Sequence, residues 1–143
     1  MTDRWVWLFD RVIASDTKAA RHVLDEVLAQ LEAQHWEQRD IFGIHLATEE
    51  ALVNAICHGN RSDVRKNVHV VCRLDSDRIR IEISDEGVGF NPKGLPDPTT
   101  SDQLHVPCGR GVMLMRAFMS RVEFNAQGNT VIMEKDREQT AGE

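Results

Sequence analysis

Apolar and polar positions alternate along the chain with two different periods. An apolar and aromatic run at Trp5–Phe9 predicts a first strand. Over Ser15–Trp36 apolar side chains recur every three or four residues, which predicts an amphipathic helix with Ser15 or Asp16 as its N-cap. A more continuous apolar pattern over Arg39–Cys57 predicts a second, more buried helix.

After the second helix the period changes to two. Val68–Leu74 and Arg78–Ser84 are predicted strands, and the Asp75-Ser76-Asp77 stretch between them predicts a hairpin. Asp85–Arg110 is rich in Gly, Pro, Thr and Asp and follows no sustained period. A structureless segment of this length inside a small domain is usually functional, so we predict a lid loop.

The last part of the chain adds a helix and a second hairpin. The helix is predicted from Gly111 to about Ser120, and the hairpin strands over Val122–Phe124 and Thr130–Glu134. This order predicts an α/β (α+β) fold, a two-layer sandwich of a mixed, mostly antiparallel sheet with helices on one face. We expect a single domain over residues 1–143, with a core of about residues 5–135 and a flexible tail over 136–143.

Composition and charge narrow the function. The net charge of −6 and the lack of a dense Lys or Arg run argue against a nucleic-acid partner. The cysteines, three in number and far apart, support neither a disulfide framework nor a zinc knuckle and fit a reducing compartment. No segment has the signature of a signal peptide or of a membrane span. We therefore expect a cytoplasmic protein without a membrane partner.

Glu50 and Asn54 are the first candidates for chemistry. They lie four residues apart on the second predicted helix, so both side chains can address one ligand. A carboxylate can accept a proton from a hydroxyl group or water, and a carboxamide oxygen is a hard ligand suited to Mg²⁺. Two solvated polar residues on a helix surface would explain the same pattern.

Two glycine-rich segments are the next candidates. Asp85-Glu86-Gly87-Val88-Gly89 leaves a predicted strand, and its glycines let the backbone approach a planar or anionic ligand, while Asp85 can accept a hydrogen bond from an exocyclic amine. Cys108-Gly109-Arg110-Gly111 opens a predicted helix, where free N–H groups and Arg110 favour phosphate. Neither is a Walker A loop, and ordinary turn chemistry or an ordinary helix entry would also explain them.

Taken in order, four motifs resemble the ATP-binding motifs of the gyrase, Hsp90, histidine kinase and MutL superfamily, which has the Bergerat ATP-binding fold. They are Glu50–Ala55, Asp85–Gly89, Gly109–Val112 and Gly128–Thr130. Within that superfamily the chain looks most like the bacterial anti-sigma factor serine kinases of the stress-response and sporulation type, over about Trp5–Lys135. His58-Gly59, directly after the Asn helix, adds to the resemblance.

The resemblance implies a role for each matching residue. Asn54 would coordinate the Mg²⁺ that bridges the ATP phosphates, and Glu50 would act as general base toward a serine hydroxyl. Asp85 would bind the adenine amino group. The remaining matching residues would shape the base pocket, approach the phosphates or lie near the adenine: Gly87 and Gly89, Gly109 and Gly111, and Thr130. Arg110 as a phosphate contact is an inference from its charge.

These expectations lead to three functional hypotheses. The first is a Mg·ATP-dependent protein serine/threonine kinase that sequesters a sigma factor and phosphorylates an anti-sigma antagonist, with a homodimer compatible with the resemblance. The second is a partner-switching module in which ATP orders the lid with little or no phosphate transfer. The third, the ATPase half of a sensor histidine kinase, needs an upstream phosphoacceptor helix, and few residues precede the first predicted strand.

Overall fold

A computed structural model, which describes residues 6–87 and 107–138, gives five strands and three α-helices in these two stretches. Their bounds are β1 (Trp7–Ala14), α1 (Thr17–Ala33), α2 (Gln38–Val53), β2 (Asn67–Leu74), β3 (Arg78–Ser84), α3 (Pro107–Phe118), β4 (Arg121–Phe124) and β5 (Thr130–Asp136). One π-helical turn, Asn54–Gly59, continues α2. None of these helices is both long enough and apolar enough to cross a bilayer.

The strands form one sheet in the order β1-β2-β3-β5-β4. Every pairing between the described strands is antiparallel, so in this part of the chain the sheet is antiparallel rather than mixed. β5 lies between β3 and β4, and the pair Ser84↔Thr130 joins the end of β3 to the start of β5. That seam positions the cavity described below.

The core lies between one face of this sheet and the helices. Alternate residues of the central strands are buried and share a face through the strand register, which gives cross-strand pairs such as Cys72↔Ile81 and Ile81↔Met133. Buried side chains of the helices, among them Val27 and Ile44, pack in the same cluster. The predicted two-layer arrangement with helices on one face is thus confirmed, and burial of these apolar side chains is its main driving force.

The first strand differs from the prediction, because β1 runs on to Ala14. Leu8 and Val12 point away from the core and are more than half exposed, whereas Phe9 and Ile13 are buried. β1 is an edge strand, so a continuous apolar run is not required along it. Of the two predicted N-caps for α1, Asp16 is the residue whose carboxylate accepts the Lys18 N–H.

The third helix begins earlier than predicted, and the last strand extends further than predicted. α3 starts at Pro107, a residue whose fixed φ suits the first helical position, so the Cys108–Gly111 segment lies inside the helix rather than ahead of it. β5 continues through Asp136, and the backbone N–H groups of Arg137 and Glu138 donate to Asp77 O and to the Asp40 carboxylate. These contacts lie beyond residue 135, where the core was expected to end.

Candidate functional site

A cavity of about 470 Å³ opens between the end of α2, the β3–β5 seam and α3, a volume typical of small-molecule sites. Its wall combines apolar side chains with a limited number of polar groups. The lining residues are Ala51, Asn54, Ala55, His58, Gly59, Arg61, Lys66, Ile83, Asp85, Gly87, Met115, Phe124, Gly128, Asn129, Thr130 and Val131. Apolar walls with few polar groups bind a ligand and fix its orientation.

Asn54 lies where α2 changes into the π-helical turn. Its backbone N–H still bonds to the carbonyl groups of Glu50 and Ala51, whereas the Asn60 N–H donates to Ala55 O, five residues earlier. Single π-helical turns occur often at functional sites because they redirect side chains on an otherwise regular helix. The Asn54 Oδ1 atom is shielded from solvent and has no hydrogen-bond partner among the described residues. A shielded amide oxygen without a partner suits a bound donor or cation.

Asp85 directly follows β3 and also lines the cavity. Partial burial raises the pKa of its carboxyl above the ordinary value; the Gly87 N–H, which donates to Oδ1 at 2.7 Å, and the positive charge of Lys66 act in the opposite direction. Its backbone N–H donates to Asn129 O at 2.9 Å. The Gly87 N–H thus orients the carboxylate and the Asn129 carbonyl holds the backbone of Asp85, while a carboxylate oxygen remains available to a ligand.

Two glycines allow the chain to approach this carboxylate closely. A Cβ atom at Gly59 would lie 2.2 Å from the Asp85 Cγ, and one at Gly87 would lie 2.1 Å from the carbonyl oxygen of Gly59. Neither distance is sterically acceptable, so the end of the π-helical turn and the loop after β3 can pack together only if both residues are glycine.

The turn between β4 and β5 completes the wall. Asn125 Oδ1 accepts from the backbone N–H groups of Gly128, Asn129 and Thr130 at 2.7, 3.0 and 3.2 Å. Gly128 has φ of 81°, a left-handed conformation that favours glycine. The Thr130 hydroxyl donates to Ser84 Oγ at 2.9 Å, across the β3–β5 seam.

Two basic side chains also line the cavity and were not predicted as site residues from the sequence. They are Arg61 and Lys66, and the described wall holds one carboxylate, that of Asp85. Arg61 has φ of 53° and Ser62 has φ of 58°, left-handed conformations that are unusual for residues other than glycine. Local positive charge in an acidic chain favours an anionic ligand here. Their position directly after the helix that carries Asn54 could have identified them as candidate site residues from the sequence.

The structure brings some of the predicted site residues together and leaves others aside. Asn54, Asp85, Gly87 and Thr130 all line the cavity. In the described wall Asn54 is present but Glu50, half-buried one helical turn earlier, is absent. Gly109, Arg110 and Gly111 fall in the first turns of α3, and Gly89 lies outside the described residues.

Comparison with known proteins gives a consistent family. The profile of the histidine kinase-like ATPase domain matches residues 13–135. An anti-sigma F factor of Clostridium perfringens is 31% identical over 121 residues, covering 81% of this chain and 84% of that protein. An anti-sigma F factor of Oceanobacillus iheyensis is 29% identical over 129 residues and covers 86% of each chain.

The fold has a relative among solved structures. The structure of the RsbU and RsbW domains of a Mycobacterium tuberculosis protein superposes with a TM-score of 0.59 at 18% identity. The match covers 93% of this chain and 32% of the larger one. At this identity the likeness concerns the fold alone, a mixed helix and antiparallel-sheet domain of the same type.

Proposed function

The chain belongs to the histidine kinase-like ATPase domain family, and on that premise we propose that it is a Mg·ATP-dependent protein serine kinase that regulates a sigma factor. The observation that carries the proposal is the pairing, across one cavity, of the shielded Asn54 Oδ1 with the Asp85 carboxylate. One suits a cation and the other an adenine amino group.

Adenine recognition falls to the loop after β3. The Asp85 carboxylate accepts a hydrogen bond from the exocyclic amine, and the Gly87 N–H, already bonded to the same carboxylate, fixes its orientation. Ile83, Met115 and Val131 supply apolar surface for the flat base. Because residue 59 is glycine, the end of the π-helical turn lies close to the loop after β3, and the proposed base site between the cavity walls is narrow.

We assign binding of the phosphate groups to Asn54, Arg61 and Lys66. The Asn54 Oδ1 atom fits Mg²⁺ because it is a neutral oxygen without a partner in the described residues. Bound Mg²⁺ would neutralise charge on the phosphate oxygens. Arg61 and Lys66 supply positive charge to the anionic ligand. Arg110, Gly109 and Gly111, at the N-terminus of α3, remain proposed phosphate contacts, as Gly89 and Thr130 remain proposed base contacts.

Glu50 is the proposed general base for transfer. A serine hydroxyl of a partner protein attacks the γ-phosphorus, the bond to ADP breaks, and Glu50 takes the hydroxyl proton. Glu50 lies four residues before Asn54 on α2, so its carboxylate faces the same end of the ligand.

The relatives support the proposed partners. Anti-sigma F factors take their name from a sigma factor, and several match over most of this chain. We propose that this chain also binds a sigma factor, in the cytoplasm, and that it releases it when an antagonist protein competes for the same surface. The antagonist is the proposed phosphate acceptor. A homodimer is compatible with this regulation.

Calorimetric titration of ATP with and without Mg²⁺ tests the site directly. We expect Mg²⁺-dependent binding to the natural protein, loss of the Mg²⁺ dependence in Asn54→Ala, and loss of adenine selectivity in Asp85→Asn. Glu49→Gln, at an exposed position of α2, is the control and should bind ATP normally. If the natural protein produced no heat of binding with Mg·ATP, the proposal would be wrong.

A partner-switching module with little or no phosphate transfer is the second candidate, and the position of Glu50 outside the described wall favours it. Comparing Glu50→Gln with Glu49→Gln, the exposed neighbour on α2, separates the two. A kinase should lose transfer to its antagonist by roughly 10²–10⁴-fold in Glu50→Gln only. A switching module should show no transfer in the natural protein and unchanged sigma-factor binding in both variants.

A further inference from the structure

A buried asparagine beside the cavity joins three parts of the chain. The Asn60 side chain is fully buried directly after the π-helical turn. Its Nδ2 donates to Ser15 Oγ at 2.7 Å and to the carbonyl oxygen of Asn67 at 2.9 Å. Its Oδ1 accepts the Glu86 backbone N–H at 2.7 Å. One side chain thus connects the residue after β1 and the first residue of β2 to the loop after β3.

The network closes on itself through Glu86. The Glu86 carboxylate accepts the Asn67 N–H at 2.5 Å, while the Asn67 carbonyl oxygen accepts from Asn60. The Ser15 hydroxyl, which accepts from Asn60, donates in turn to Lys66 O at 2.8 Å. Both amide hydrogens of Asn60 are therefore used, and a buried polar network with its groups satisfied is rigid.

This network holds the loop that carries Asp85. On one side of the loop the Asp85 N–H donates to Asn129 O, and on the other the Glu86 N–H donates to Asn60. Asn60 is not part of the described cavity wall, so it touches no ligand there. Its effect on Asp85 passes through the backbone of the adjacent residue.

We propose that Asn60 is a positioning residue that sets the preference for adenine over guanine, an inference that rests on the proposed ATP binding. Adenine presents an amine at C6 and guanine a carbonyl oxygen. A carboxylate held in place accepts a hydrogen bond from the amine and repels the carbonyl. A carboxylate on a loose loop can turn away from guanine, so the preference depends on the rigidity that Asn60 supplies.

Titration of Mg·ATP and Mg·GTP against the natural protein, Asn60→Ala and Ser15→Ala tests the proposal. Ser15→Ala removes two bonds of the network, from Asn60 Nδ2 and to Lys66 O, but leaves the Glu86 N–H bonded to Asn60. We expect the ratio of ATP to GTP affinity to fall roughly tenfold in Asn60→Ala, about the effect of one lost buried hydrogen bond, and to stay within about twofold in Ser15→Ala. Thermal unfolding of each variant confirms that folded proteins are compared.

Amide hydrogen exchange at Glu86 supplies a measurement without nucleotide. The amide should be protected in the natural protein and in Ser15→Ala, and should exchange at least about tenfold faster in Asn60→Ala. If Asn60→Ala fails to fold, Asn60→Asp keeps an acceptor for the Glu86 N–H, and it should keep both the protection and the ATP preference despite a lower melting temperature.

The outcomes separate the two proposals. Unchanged nucleotide preference and unchanged Glu86 protection in folded Asn60→Ala would overturn the role of Asn60 while leaving ATP binding intact. A folded Asn60→Asp that lost the preference would also overturn it. If the natural protein bound neither nucleotide, the proposed function would fail and the base-preference role with it, and the Glu86 exchange would still decide whether Asn60 holds the loop.

Discussion

At the scale of single residues, the ionisation of Asp85 depends on its surroundings more than on its sequence neighbours. Partial burial raises the pKa of its carboxyl, and Lys66 and the Gly87 N–H limit that rise. The folded protein therefore holds the proton more tightly than the unfolded chain, so ionisation of Asp85 reduces folding stability as pH rises through the raised pKa. The ionised form is nevertheless the stronger acceptor for an adenine amine.

ATP affinity should consequently fall with decreasing pH, starting at a higher pH than an ordinary aspartate would give. Once pH is below the raised pKa, we expect a loss of at most about tenfold per pH unit, because binding favours the form that has lost one proton. Calorimetric titrations of ATP across the acidic pH range measure this loss of affinity. Lys66→Met removes a positive charge that lowers the Asp85 pKa, so the loss of affinity should begin at a higher pH. Asp85→Asn should abolish the part of the pH dependence that Asp85 causes. An identical profile in Asp85→Asn would contradict the assignment.

Gly87→Ala should damage both folding and the site. The new Cβ would lie 2.1 Å from a backbone carbonyl oxygen, which cannot move aside as a side chain can. We expect a cost of about 1–3 kcal/mol in the free energy of unfolding and weaker ATP binding, measured by urea denaturation and calorimetry.

Gly43→Ala is the matched control. Its Cβ would meet the Phe118 side chain at 3.2 Å, and alanine is favoured in a helix by up to ~1 kcal/mol. Its stability should change little, and equal losses in the two variants would argue against the close backbone approach at Gly87.

Asn54 and Asp85 could be predicted as site candidates from the sequence. Asn54 lies four residues after Glu50 on a predicted helix, and Asp85 directly follows a predicted strand. Asn60 could not, because an Asn after His58-Gly59 is equally typical of an ordinary helix end. Its burial depends on Ser15 and Glu86, which are distant in sequence. Contacts of this kind leave no local pattern.

At the scale of elements, the β4–β5 turn depends on one side chain. Asn125 Oδ1 accepts from three successive backbone N–H groups, and the turn in turn holds Asn129, whose carbonyl accepts the Asp85 N–H. Asn125→Ala should lower the free energy of unfolding by about 1–2 kcal/mol and weaken ATP binding, as chemical denaturation and calorimetry would detect. Asn125→Asp keeps the acceptor for the three backbone N–H groups and loses only the donor to Asn129 Oδ1, so it should lose less of both properties than Asn125→Ala. Equal losses in the two variants would refute this role.

Element positions were predictable wherever one period was maintained. The β2–β3 hairpin was predicted to within a residue because Ile79, Ile81 and Ile83 alternate strictly with polar residues. The π-helical turn was not predicted, because one extra residue per turn scarcely changes the apolar spacing over six residues. The full length of β1 was missed since half of an edge strand faces solvent.

At the scale of the whole molecule, Arg137 connects elements that are distant in sequence. Its guanidinium donates to the carbonyl groups of Gln34 and His35 at 2.9 Å, at the end of α1, and to Ser76 O at 3.1 Å in the β2–β3 turn. It also stacks on the Trp36 ring, 5.4 Å from its centroid. Positive charge and donors at a helix C-terminus are stabilising.

Arg137→Ala should therefore cost about 2 kcal/mol and lower the Tm by roughly 5 °C, because it leaves these carbonyl groups without their donor. Differential scanning calorimetry measures the shift. Arg65→Ala, which removes an exposed ion pair with Asp63, is the control and should leave the Tm unchanged. Equal shifts in both variants would mean that Arg137 acts only through its charge.

The strand order has a consequence for synthesis of the protein on the ribosome. β3 is synthesised well before β5, although β5 is one of the two strands that pair with it. In the described sheet β4 pairs only with β5, so it also has no partner until β5 has been synthesised. Asp85 and Thr130 lie on opposite sides of that late seam. Because domains complete their folding as the chain emerges, nascent chains that end before Thr130 lack a wall of the cavity. Ligand binding should therefore begin only after translation has passed residue 136.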